Sequence, residues 1–317
     1  MNDLITIIIP TYNTENFISR AIKSLQNQTY SEIEMLIVDD YSNDNTLPIC
    51  YKLQKTDKRI KIISKNKNTG VANSRNIGIR NAKGKYIMFL DSDDYVEKDF
   101  CLCMINTLKK YNAEIVYCDY TVIKDEDKIH KKLGKGEGIV SHQEMMKTVI
   151  ASSYLWNKIY LKSLFNGIYF PENENYEDIR TLYRVIERAR VLVYKPISLY
   201  FYTQREGSIV HTQGVKDQTE YFIAILQLAC FFKSNYPRLF NEECLYLIPA
   251  AYEYCLNYYD TKGSLYNRAL SIIKENPIPK KATFFMKIKL IMVKTLPCSI
   301  GVFRLIKVMR NRRRIGQ

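Results

Sequence analysis

The sequence predicts an α/β protein: an open, mostly parallel sheet flanked by helices, followed by a helical region. Three observations predict it. Short, almost continuous β-branched runs such as Leu4–Ile9 have the look of strands buried on both faces. Stretches with apolar residues at helical spacing alternate with those runs, an order that requires right-handed crossovers between parallel neighbours. The polar motifs fall just after strand ends, the edge at which open α/β sheets collect ligands.

Taken in order, Leu4–Ile9 is the first strand. Glu15–Gln28 carries Phe17, Ile18, Ala21, Ile22 and Leu25 on one helical face. The stretches IEMLIVDD and IKIISK predict two more buried strands, VANSRNIGIRNA a helix and KYIMFLD a fourth strand. From Asp99 the pattern is mixed. A helix to Lys110, a strand AEIVYCDY, a charged loop over Lys124–Gly138 and a short helix near Gln143–Ile150 follow one another. A helix over Glu177–Ala189, a strand VLVY and a turn at Pro196 come next. Residues 217–275 predict two or three helices, broken near Pro237 and at DTKGS.

The 317 residues hold 47 Lys and Arg against 33 Asp and Glu, but residues 280–317 contribute 11 of the cations and none of the acids. The body is therefore nearly neutral, at 36 against 33, which argues against a nucleic-acid enzyme with a basic groove. The eight cysteines include no two-residue metal or redox spacing, so reduced thiols in the cytoplasm are expected. Neither a basic leader nor an apolar run long enough to span a bilayer is visible.

Into this near-neutral body FLDSDDYV places Asp91, Asp93 and Asp94 behind an apolar strand. Alone, such a stretch reads as a solvated turn with Ser92 or Asp94 capping a helix. At a strand end, following the second acid pair Asp39–Asp40, it reads as hard oxygen ligands for Mg²⁺ or Mn²⁺, ions that complete their shell with water and phosphate. Asp39, Asp40, Asp91 and Asp93 are expected in one crevice.

Together, IIIPTYN, IVDDYSNDNT, NTGVANSRNIGIRNAKGKYIMFLDSDDYV, WNK, YEDI and FYTQREGSI resemble glycosyltransferase family two, inverting nucleotide-sugar enzymes of GT-A fold, a Rossmann-like α/β architecture. The resemblance covers about residues 3–211. It implies that Tyr12 stacks on the nucleobase, with Pro10 and Thr11 shaping the pocket floor. Asp40 accepts from a uracil imide, and Asp39 orients the loop. It also implies that Asp91 and Asp93, with Ser92 between them, hold a metal against a diphosphate. Arg75 and Asn76 contact the base or brace the loop before Asp91; Ser74 stands where the family usually has Ala. Gly70 allows a positive φ or close backbone approach.

Inversion needs a base across the sugar from the leaving group, and Asp178 matches that position, with Glu177 gripping hydroxyls. Taken alone, the two are first-turn acids of a helix. Arg205 and Ser208 match phosphate-side positions, and His211 is a metal or phosphate ligand, or an exposed loop residue. Trp156 is an acceptor platform or core, and Lys158 pairs with Glu177 or an anionic acceptor.

The expected organisation is a catalytic domain over 1–215, a helical accessory region over 216–279 and a basic amphipathic tail over 280–317. On a helix from Ser299, Arg304, Lys307 and Arg310 fall opposite Val302, Leu305, Val308 and Met309, a pattern suited to an anionic membrane surface; the other reading is packing on the body or an oligomer contact. The resulting expectation is an enzyme peripheral to the inner face of the cell membrane. It transfers a sugar from a UDP-sugar to a hydroxyl of a capsule, lipopolysaccharide-like or teichoic acid precursor, lipid-linked or not. The rival readings are an inactive sugar- or nucleotide-binding module at the membrane and a sugar nucleotidyltransferase. The latter lacks a glycine-rich loop after the first strand.

Overall fold

The computed structural model describes residues 3–151, 153–204, 215–257, 263–278 and 282–315. The chain divides into two compact units, Met1–Ser208 and Ile209–Gln317.

The first unit begins with β1 (Ile5–Thr11), α1 (Ile18–Gln26), β2 (Ile33–Asp39), α2 (Thr46–Gln54), β3 (Ile60–Ser64), α3 (Gly70–Asn81) and β4 (Tyr86–Phe89). Every residue of β1, β2 and β4 is buried, as their continuous apolar character requires. The strands β3-β2-β1-β4 are all parallel. Gly78 of α3 lets that helix lie close to the sheet, because a Cβ there would meet Ile8 Cγ2 at 2.4 Å.

Beyond β4 come β5 (Tyr95–Val96), α4 (Phe100–Tyr111), β6 (Ile115–Lys124), β7 (Asp127–Lys131), β8 (Gly138–Val140), α5 (His142–Ala151), β9 (Lys158–Leu161), α6 (Glu177–Arg188) and β10 (Leu192–Gln204). The full order is β3-β2-β1-β4-β9-β6-β10-β5, with β7 on β6 and β8 on β10. In this half β9 runs antiparallel to both β4 and β6, and only β6 with β10 is parallel. The sheet is therefore parallel in its first half and mixed in its second.

Three differences from the sequence expectations have local causes. The charged segment 124–138 contains strand β7, whose five residues are all exposed on the edge of β6 and so show no apolar alternation. Strand β10 continues through Pro196, because the pairing with β6 shifts register between Lys195 and Ser198, where a missing N–H costs no ladder bond. Helix α2 contains Pro48 and buries only Thr46 and Cys50, so its apolar residues carry no clear helical period.

The second unit holds α7 (Val215–Asn235), α8 (Pro237–Asn257), α9 (Ser264–Glu275), α10 (Phe284–Thr295) and α11 (Ser299–Ile315). The break at Pro237 falls where the sequence puts it; most of DTKGS lies outside the described residues, and α9 begins at its last residue, Ser264. Residues 284–307 do not hang free: Arg304 donates from Nη2 to Cys255 O at 2.6 Å and from Nε to Leu256 O at 3.0 Å, tying α11 to the end of α8.

Candidate active site

The parallel register sets Thr11 of β1 beside Asp39 of β2, and the Asp40 N–H donates to Thr11 O at 2.8 Å. On the other side of β1, the Leu90 N–H donates to Ile8 O at 3.0 Å, so the Asp91–Asp94 turn leaves the same sheet edge. Pro10, Thr11, Tyr12, Asp39, Asp40, Asp91, Ser92 and Asp93 thus share one edge, as expected. Pro10, Thr11 and Ser92 are buried, whereas Tyr12 is 46% exposed and offers a ring face.

The two strand-end acids differ in what holds them. Asp40, 4% exposed, accepts from the N–H groups of Thr69 (2.8 Å) and Gly70 (2.7 Å) at the start of α3 and pairs with Lys65 Nζ at 2.5 Å. It satisfies two of the donors that a helix N-terminus leaves open. Gly70 has φ +87° and open space where a Cβ would be, so conformation rather than room explains this glycine. Lys65 also donates to Ser74 Oγ at 3.3 Å, a bond that alanine there would lack. Asp39 accepts from Ser42 N at 3.1 Å through Oδ2, the loop-orienting contact expected of it, while its Oδ1 is buried without a partner.

Arg75 of α3 organises the centre. Its guanidinium pairs through Nη1 with Glu177 and through Nη2 with Asp91 Oδ1 at 3.4 Å, and it lies 5.7 Å above the Phe170 ring. Burial opposes its charge, yet Glu177, Asp91 and Asp178 together raise its pKa. Arg75 therefore bridges the Asp91–Asp93 loop and the start of α6. Asn76 does something else: it exchanges hydrogen bonds with the Phe170 backbone, 2.9 Å each way, and so fixes the segment leading into α6 rather than the loop before Asp91.

The carboxylates crowd one another. Burial, opposed by Arg75 and reinforced by Asp93 and Glu177, pushes Asp91 up to about 6. Burial and Glu177 push the half-buried Asp178 up to about 7, against Arg75 and the Ile179 N–H that donates to its Oδ1 at 2.8 Å. One guanidinium thus faces Asp91, Glu177 and Asp178. Asp91 and Asp93 fit Mg²⁺ or Mn²⁺ by donor type, since these ions take one or two carboxylates plus water and phosphate oxygens. Among the described residues no cluster of three His, Cys, Asp or Glu side chains is arranged as a protein-only metal cage.

Asp94 belongs to the scaffold. Completely buried, it accepts from Tyr200 Oη at 2.7 Å and from Thr203 N at 2.7 Å, and its pKa is held well above the usual carboxylate range by burial and by Asp91 and Asp93. Tyr200 Oη in turn accepts from the Asp91 N–H at 3.3 Å. Arg20 of α1 adds a second tie, donating from Nη2 to Asp93 O (2.7 Å) and Thr203 Oγ1 (2.9 Å). Nothing in the sequence singled out Tyr200, one of 25 tyrosines, or Arg20.

Two residues left open by the sequence are settled by burial. Trp156 is 3% exposed, with Tyr200 stacked on it at 4.2 Å and Tyr154 at 4.6 Å, so it is core and not a sugar platform. Lys158, 1% exposed, does not reach Glu177; its Nζ donates to Tyr154 O and to Asn157 Oδ1, and burial brings its pKa down to about 7. Arg205, Ser208 and His211 lie outside the described residues.

The family model for Glycosyl transferase family 2 matches residues 6–172. Over 225 residues the chain is 28% identical to Glycosyltransferase GlyG of Streptococcus pneumoniae, covering 67% of this chain and 75% of GlyG. It is 30% identical over 223 residues to Glycosyltransferase GlyA of the same organism, covering 66% of this chain but only 32% of GlyA. Among solved structures, S. aureus TarS 1-349 in complex with UDP-GlcNAc aligns with a TM-score of 0.67 at 20% identity, over 99% of this chain and 92% of that one, a likeness of fold. The family match takes in more than half of the chain, including both strand-end acid pairs and the arginine that bridges to α6, and on that ground the chain belongs to glycosyl transferase family 2.

Proposed function

We propose that this glycosyltransferase moves a sugar from a UDP-sugar to a hydroxyl of a cell-surface glycan precursor, with inversion at the anomeric carbon and Asp178 as general base. The observation that carries this reading is the Arg75 bridge, which sets the Asp91–Asp93 loop on one side and the Glu177–Asp178 pair on the other. An inverting displacement needs that separation, because attack and departure occur on opposite faces of the sugar.

The uracil would lie against the exposed Tyr12 ring, with its imide N–H given to a strand-end carboxylate. Asp39 Oδ1 has no partner, whereas both oxygens of Asp40 are engaged, so Asp39 is the better acceptor of the two. Asp91 and Asp93 would hold Mg²⁺ or Mn²⁺, which supplies neutralising charge at the diphosphate. Glu177, fixed by Arg75, faces the sugar and acceptor hydroxyls. The acceptor oxygen attacks the anomeric carbon and its proton passes to Asp178, while the bond from that carbon to the diphosphate oxygen breaks and UDP leaves with the electron pair. A carboxyl with a pKa near 7 is well matched to that proton at neutral pH. The solved TarS complex with UDP-GlcNAc, on the same fold, supports the choice of donor. The acceptor is the resemblance's own expectation: a capsule, lipopolysaccharide-like or teichoic acid precursor.

The test is Asp178→Asn. With Mn²⁺ and a panel of UDP-sugars, the variant should show the same ligand-induced rise in melting temperature as the unaltered protein. Its transfer rate should fall by about 10²–10⁴-fold. Near-normal turnover would remove Asp178 from the mechanism.

A further inference from the structure

Helices α10 and α11 turn an apolar face outward. Phe284 is 72% exposed and Phe285 76%, and Ile288, Ile291, Met292 and Leu296 continue the same side of α10, spaced by three or four residues. Its opposite side is filled by Leu290 and Val293, both fully buried. On α11, Val302, Leu305 and Ile306 are exposed while Ser299 and Ile300 are buried. An exposed apolar face of this extent, on two consecutive helices, is not ordinary surface.

The cations are arranged around that face rather than on it. Expected to stand toward the membrane, Arg304 and Lys307 instead turn inward. Arg304 meets the last carbonyls of α8, and Lys307 Nζ pairs with Glu253 at 3.1 Å. A cation at a helix C-terminus is favoured by the helix dipole, which accounts for the position of Arg304. On α10, helical geometry puts Lys287 and Lys294 along one border of the exposed arc and Lys289 along the other. Lys294 Nζ donates to Asn276 O at 2.7 Å, at the end of α9, and Lys289 Nζ lies 5.8 Å from the Tyr252 ring. These ties hold both helices with their apolar sides outward. In the sequence, residues 308–317 include Arg310, Arg312, Arg313 and Arg314, and residues 276–317 contain no acid.

We propose that this face of α10 and α11 is a docking surface for an anionic phospholipid leaflet. Its large side chains would enter the boundary between headgroups and acyl chains, and the bordering Lys287, with the surplus of cations that the sequence carries over residues 276–317, would meet lipid phosphates. Charge complementarity selects the lipid over a second copy of the chain, because apposing two such faces would bring two acid-free basic segments together. No helix among the described residues is long and apolar enough to cross a membrane, so the surface lies on the leaflet.

The test uses the full chain, floated with vesicles of phosphatidylcholine alone and of phosphatidylcholine mixed with phosphatidylglycerol. It should float with the mixed vesicles and bind phosphatidylcholine at least about tenfold more weakly. The double variant Phe285→Asp, Leu305→Asp replaces side chains already in solvent. It should keep its melting temperature and its hydrolysis of donor in solution, and lose at least about tenfold in binding to mixed vesicles. Equal flotation of variant and unaltered chain would overturn the proposal. So would no flotation at all, or a vesicle-free dimer, seen by light scattering, that the double variant dissociates.

Discussion

At the scale of single residues, the site is a set of acids told apart by their partners. Asp91, Asp93 and Asp94 sit within four positions, yet Asp94 is a structural acceptor and Asp91 is shared with Arg75. Tyr200 is the joint, since one hydroxyl both accepts from the Asp91 N–H and donates to Asp94. Tyr200→Phe leaves a buried carboxyl short of a donor and should lower stability by about 1–3 kcal/mol in urea unfolding. Because the same hydroxyl steadies the Asp91 turn, Mn²⁺-dependent UDP binding measured by calorimetry should weaken with it. Unchanged UDP affinity would make the tyrosine a core residue only. The acid motif was legible in the sequence as a motif; the division of labour within it was not, because it depends on a tyrosine more than a hundred residues away.

At the scale of elements, the start of α3 shows how one acid pair serves two ends. Asp40 holds the first N–H groups of the helix and Lys65, so Asp40→Asn should cost about 2 kcal/mol of stability. Asp39 spends only Oδ2, on Ser42, so Asp39→Asn should leave stability nearly unchanged and weaken UDP binding by about tenfold or more, the worth of one hydrogen bond to a charged group. Melting curves and UDP titrations of the two variants check this, and the reverse pattern would restore Asp40 as the base reader. The buried strands β1, β2 and β4 and the break before α8 were legible because burial on both faces and proline leave marks in the sequence. Strand β7 left none, because an exposed edge strand needs no apolar side.

At the scale of the molecule, the crowded carboxyls link pH to both stability and rate. In the metal-free protein Asp178 binds its proton more tightly when folded, with a pKa of about 7 against an ordinary value of 3.8. The folded state therefore holds more protons than the unfolded state between those values, and stability should rise as pH falls from about 7 toward 4. One group contributes at most about 1.4 kcal/mol per pH unit, and less for a half-buried one. Transfer should move the other way, rising through about pH 7 as Asp178 ionises. Urea unfolding across that range should show a shallower slope in Asp178→Asn, and an unchanged slope would place the titration elsewhere.

The parallel half of the sheet, the edge where its acids gather and the family to which those motifs point could all be read from the order of residues. These follow from hydrophobic period and from motifs whose spacing is local. It took the folded chain to show that Arg75 spans from Asp91 to Glu177, that Trp156 and Lys158 are buried, and that Arg304 and Lys307 turn inward while Phe284 and Phe285 face out. Each of these depends on which distant carbonyl, carboxylate or ring the fold brings within a few ångströms. Burial free energy and hydrogen-bond satisfaction are set by that neighbour, not by position along the chain.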